Sequence, residues 1–343
     1  MKKYLFVLLF GSTLAAAKAQ DANKDPYMVK SLTSDAIQHV RVETTGGNIS
    51  VAGTDAEARI EVYIWPSNGR DRNISKEDIA KRLDNYDLSV SAADHKLTAI
   101  AKSKKGFRDW NKSLSISFKV FVPHNVSTSL STSGGNVSLS ALSGTQDFTT
   151  SGGNINVDHL SGHIKGRTSG GNITLDDLQD DIDLSTSGGN ITAGKSHGSI
   201  KLTTSGGSLN LRSLQGTVNA TTSGGNVHAD EIDGALSAHT SGGNIDMTNL
   251  SCSLETSTSG GNIDVNIKTL GSFVKITNSG GNTSLQVPQG KGIDLTLSAD
   301  KVNAAALNGF KGDVKKDRID GTINGGGIPV TVRGGSHINF TIK

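Results

Sequence analysis

Chemistry-bearing residues are sparse in this chain, and the densest group lies between residues 158 and 181. Asp158, His159 and His163 are followed eighteen residues later by Asp176, Asp177 and Asp181. Imidazole nitrogens and carboxylate oxygens together form ligand sets for zinc and other divalent ions. If the two stretches lie side by side, His159 meets Asp177 and His163 meets Asp181, so these four residues are the metal-site candidates. A solvated polar face is the alternative reading. The second group is the segment Lys102 to Lys112, where five basic residues accompany Phe107 and Trp110. An aromatic ring flanked by cations stacks on a sugar or grips an acidic glycan, which makes Phe107, Arg108 and Trp110 the ligand-binding candidates. Packing of both rings beneath an insertion is the competing explanation.

Three further patterns are weaker. Gly194-Lys195-Ser196-His197-Gly198 matches the G-x-S-x-G nucleophile elbow, but that motif needs a strand-to-helix turn and no helical pattern follows it. Calcium-binding repeats carry Gly-Gly-x-Gly-x-Asp, whereas here an apolar residue follows Gly-Gly-Asn, so no carboxylate ladder forms. A column of Thr at 132, 150, 168, 186, 204, 222, 240 and 258 would suit an ice-binding face if exposed, but its phase matches the apolar positions and places it inside. No residue is assigned a catalytic role, and no cofactor is implied.

These residues sit on a repeat. Gly-Gly pairs begin at 134, 152, 170, 188, 206, 224, 242 and 260, each 18 residues after the last, and the next pair, at 280, follows after 20. With the first Gly of each pair as slot one, slot four holds Val137, Ile155, Ile173, Ile191, Leu209, Val227, Ile245 and Ile263. Slot six holds Leu139, Val157, Leu175, Ala193, Leu211, Ala229, Met247 and Val265. Slots thirteen and fifteen are apolar in the same alternating way, from Ile164, Ile182 and Leu184 to Leu236 and Ala238. Period-two alternation marks half-buried strands. The spacing predicts an all-β fold: a single-stranded parallel β-solenoid of about 18 residues per coil, with two short strands and two corners in each coil. One corner is Leu-x-Gly and the other Thr-Ser-Gly-Gly-Asn, where the Gly pair is expected to adopt backbone conformations closed to other residues. An open antiparallel meander is the alternative topology, although so many strands would have to curl or close.

The ends depart from the repeat. Ser75-Lys76-Glu77-Asp78 resembles a capping box, and Ile79, Leu83 and Tyr86 follow at helical spacing, predicting one short helix over 76–86. The expected organisation is a signal peptide over 1–19, a β-rich start over 20–130, regular repeats over 131–290 and a closing cap over 291–343. The leader combines Lys2 and Lys3, an apolar run from Tyr4 and the Ala17-Lys18-Ala19 cleavage pattern, so the product is expected to be exported without a transmembrane segment. Removing the three Lys of the leader from 34 basic residues leaves 31 against 32 acidic ones, a balance that offers no footprint for nucleic acid. Cys252 is the one cysteine, so no internal disulfide exists; it stands where other repeats carry a corner Gly, as a small residue.

The segment Ser117-Phe118-Lys119-Val120-Phe121-Val122-Pro123, the Thr-Ser-Gly-Gly-Asn-Ile units, Asp317-Arg318-Ile319-Asp320-Gly321 and Asn324-Gly325-Gly326-Gly327 resemble the bacterial "putative adhesin" β-strand-repeat family, a domain family of unknown function. The resemblance spans roughly residues 37 to 343. It implies a parallel β-solenoid in the cell envelope and brings no catalytic residues with it. The resulting expectation is an exported, non-enzymatic adhesin or interaction scaffold whose partner is a surface glycan or protein. Two alternatives remain, a metal-assisted polysaccharide-cleaving enzyme and an internal periplasmic component without an external ligand.

Overall fold

The computed structural model describes residues 25–67, 75–104, 109–305 and 307–343. The leader over 1–19 therefore lies outside the described residues. Apart from the helix Lys76–Leu83 and a 3-10 turn at Trp110–Lys112, the described elements are strands, and the fold is all-β.

In the middle of the chain, successive strands pair parallel and in register. Ile155 sits against Ile173 and Thr168 against Thr186, and the same offset of 18 carries the pairing from Val137–Thr150 to Ile245–Thr258. Alternation along each strand dictates this register, because a one-residue slip would turn every apolar side chain to the solvent. All eight side chains of slot four are buried, as are all eight of slot six. Gln146 takes slot thirteen of the first coil and is also buried. Its oxygen accepts from Thr128 Oγ1 at 2.8 Å and its amide donates to the Val126 carbonyl at 2.8 Å, so the polar group is satisfied.

Two expectations about the corners are corrected. The Leu-x-Gly corner does not divide each coil into two short strands; Val137–Thr150, Ile155–Thr168 and Ile173–Thr186 each run through it as 14 residues. The bend is made at slot eight, where Ala141, His159, Asp177, Lys195, Ser213, Glu231 and Asn249 have φ between 46 and 57°. Glycines at slot eleven, such as Gly144 at φ 113°, complete it. Among the described repeats from Val137 to Asn278, only the one carrying Ser196 is split, into Ile191–Gly194 and His197–Thr204. At the other corner, neither Gly of a pair adopts a left-handed φ. What demands glycine at slot two is proximity: a Cβ on Gly153 would stand 1.9 Å from the Gly135 carbonyl oxygen.

Side chains tie this corner along the stack. Each slot-three Asn accepts, on Oδ1, the backbone N–H of the next coil's slot three, as from Asn154 to Asn136 at 2.8 Å. The buried Thr column donates to the slot-two carbonyl of its own repeat and accepts from the slot-two N–H of the next, as Thr168 does with Gly153 and Gly171. Its hydroxyls are consumed inside the fold, as the phase of the sequence requires.

Antiparallel pairing appears at both ends, within the segments expected as the β-rich start and the closing cap. Arg59–Pro66 lies antiparallel to Leu114–Val122, and Tyr86–Ala93 to Lys96–Ser103. At the other end, Ile293–Ser298 runs antiparallel to Arg318–Ile323 and parallel to Ile328–Gly334. The helix stops at Leu83 rather than reaching 86. Asn85 closes it by donating its backbone and side-chain N–H groups to the Arg82 carbonyl, and Tyr86 opens a strand, its phenol oxygen accepting from Leu114 N at 2.7 Å. No described helix is long and apolar enough to cross a membrane.

Candidate functional site

Parallel register brings the His and Asp residues together as the spacing implies. His163 Nδ1 lies 2.8 Å from Asp181 Oδ2. His159 is bracketed, its Nδ1 2.8 Å from Asp158 Oδ2 and its Nε2 3.1 Å from Asp177 Oδ2. Asp158 beside the ring holds the His159 pKa above its ordinary value, chiefly by hydrogen bonding, with Asp177 and Asp176 adding to the field. The two ring nitrogens point to opposite sides of the imidazole, so the carboxylates of Asp158 and Asp177 do not converge on a common centre. Asp176 is engaged by Lys195 at 3.1 Å, and Asp180 accepts from the Gly162 N–H at 3.0 Å. Among the described residues, no group of three or more His, Cys, Asp or Glu is arranged to hold a metal ion. The arrangement is a set of exposed His–Asp and Lys–Asp contacts within and between adjacent strands, a weak contributor to stability.

The elbow-like serine is accounted for by packing. Ser196 is 1% exposed; its Oγ donates to the Gly194 carbonyl at 2.7 Å and accepts from Leu178 N at 3.0 Å. A hydroxyl so engaged, with no imidazole bonded to it, is not an activated nucleophile. Cys252 is buried and pairs in register with Gly234, and burial pushes its thiol up to about 12, far from the range of a reactive thiolate.

Of the aromatic-basic segment, Phe107 and Arg108 lie outside the described residues. Trp110 opens the 3-10 turn, where Asp109 Oδ1 accepts from Asn111 N at 3.0 Å and Asp109 Oδ2 pairs with Lys112 Nζ at 3.7 Å. The His/Asp group, by contrast, is carried by the central repeats.

Two hollows that the sequence reading did not single out lie on one sheet face, formed by outward slots fourteen and sixteen. The first, of about 520 Å³, is lined by Asp147, Lys165, Arg167, Asp183 and Lys201, with Lys201 and Asp183 paired at 3.3 Å. The second, of about 440 Å³, is lined by Phe273, Lys275, Thr277, Pro329, Thr331 and Arg333. Its sequence signal is the 20-residue interval before Gly280, the one break in the period.

No family model and no curated protein matches the chain. Among solved structures, a protein from Clostridium sporogenes described as a putative cell adhesion protein is 12% identical, with 92% of this chain and 98% of that chain covered and a TM-score of 0.20. A putative adhesin from Bacteroides fragilis is 16% identical, with 76% of this chain and 98% of that chain covered and a TM-score of 0.29. Likeness at this level decides neither fold nor function.

Proposed function

We propose that the chain is an exported β-solenoid that acts as an adhesin or interaction scaffold and carries out no chemistry of its own. The observation that carries this reading is the continuity of one outward face. Slot-fourteen residues pair in unbroken succession from Ser129 through Asp147, Lys165, Asp183, Lys201, Asn219, Ser237 and Glu255 to Lys275 and Thr331. Parallel hydrogen bonding at every step makes such a face stiff, and a stiff, extended surface suits recognition of a polymer or of another surface. Export rests on the leader-like residues 1–19, and the envelope setting on the repeat and terminal motifs.

A polysaccharide-cleaving enzyme would need an acid and a base converging on one bond. The bracketed His159 and the buried Ser196 offer no such convergence. The test is labelling of intact cells with a membrane-impermeant amine reagent, together with added protease. Modification of exposed lysines such as Lys165, or release of fragments from residues 131–290, is expected. Full protection until the outer barrier is opened would overturn surface display and favour an internal envelope component.

A further inference from the structure

The hollow beside Phe273 exists because the repeat is broken there. Cys252 still pairs with Leu270 at an offset of 18, but Leu254 pairs with Val274 at an offset of 20, so Gly271, Ser272 and Phe273 together oppose Ser253. The bulge is held firmly. Ser253 Oγ accepts from Ser272 N at 2.9 Å and lies 2.7 Å from Ser272 Oγ, while a Cβ on Gly271 would stand 2.3 Å from Ser253 N. Bulges of this kind re-aim a side chain, and here they turn Phe273 outward until it is 38% exposed. The neighbouring strand fits the interruption: its pairing to Val274 begins at Val330, so Pro329, which has no N–H to give, falls opposite the bulge.

The chemistry around Phe273 is specific. Thr331 pairs in register with Lys275 and Arg333 with Thr277, placing two hydroxyls and two cations along the aromatic ring and Pro329. Lys275 is already neutralised by Glu255 at 2.8 Å. Arg333 is exposed and makes no ion pair among the described residues. One apolar platform, one uncompensated guanidinium and flanking hydroxyls match a ligand with an apolar ring face, one carboxylate and several hydroxyls. We infer that this hollow binds an acidic saccharide of the uronate type, with a ring stacked on Phe273 and its carboxylate held by Arg333. A polyphosphate or a strongly anionic polymer would call for several unpaired cations, and here there is one. The hollow's volume, about 440 Å³, lies in the range of small-ligand sites.

The inference deepens the scaffold reading and takes its biological setting from it, but the chemistry of the hollow is tested separately. Calorimetric titration of the full mature chain uses a neutral xylose tetramer bearing a single glucuronate as probe, with its methyl ester as the uncharged comparison. Binding of the acidic probe is expected, with the ester, Phe273→Ala and Arg333→Gln each weaker by roughly tenfold or more, while Arg167→Gln in the other hollow has no effect. All three substituted side chains are on the surface, so matching melting curves confirm that the variants fold. Absence of binding by the unsubstituted protein, equal affinity for the ester, unchanged binding in Phe273→Ala and Arg333→Gln, or loss in Arg167→Gln would each overturn the assignment. Protection of the chain in intact cells would defeat surface display and leave the calorimetric result standing; unaltered affinity in the two variants would remove this site and leave surface display untouched.

Discussion

At Gly189 a Cβ would stand 2.0 Å from the Gly171 carbonyl oxygen, whereas at Gly188 the nearest atom is the Ser169 carbonyl oxygen at 3.6 Å. The two glycines look equivalent in the sequence, yet only the second is required by the stacking of backbone on backbone. Neither has a left-handed φ, so conformational freedom does not distinguish them. Gly188→Ala is expected to change stability by less than about 0.5 kcal/mol. Gly189→Ala should lose about 3 kcal/mol, because the obstacle is a neighbouring backbone that cannot swing aside. Urea unfolding of the two variants checks this, and equal losses would refute the close-approach account. The contact lies in the fold alone, and no residue type in slot two other than glycine could have revealed it.

At the scale of the element, what was legible in the sequence is what alternation encodes. Slots four and six are buried throughout because strand geometry sends alternate side chains to one face, and Ile173 is fully enclosed between Ile155 and Ile191. Ile173→Asp is therefore expected to cost more than about 4 kcal/mol, since an unpaired carboxylate would be forced among the side chains of adjacent coils. A thermal melt that did not move would contradict the register. The bend at slot eight left no such signal. Its left-handed residues are Ala, His, Asp, Lys, Ser, Glu and Asn, so the stack imposes a conformation that the residue type does not announce. Antiparallel pairs at both ends were hidden for a different reason: segments such as Tyr86–Ala93 and Arg318–Ile323 have no repeated neighbour from which a partner could be inferred. Among candidate sites, the His159–Asp177 and His163–Asp181 pairings followed from the period, but their divergence from a metal centre depends on ring orientation. Phe273 could be suspected only from the two-residue lengthening of one interval.

For the whole molecule, the consequence of the parallel register is distance. Asp147 and Glu255 are both exposed in slot fourteen, and six inter-strand steps separate them through Lys165, Asp183, Lys201, Asn219 and Ser237. Each step is one strand spacing, so a chain that advances by a single spacing per 18 residues separates these positions by about 29 Å. The proposed function depends on this spacing, which sets the slot-fourteen side chains of successive repeats next to one another on one face. The most direct measurement is the distance between spin labels at Asp147→Cys and Glu255→Cys by pulsed electron resonance, with the buried, weakly acidic Cys252 left unlabelled. A narrow distribution centred near ~29 Å is the predicted result. A distance near ~58 Å, as two strands per 18 residues in an antiparallel meander would give, would contradict the stacked-coil account and the face built on it.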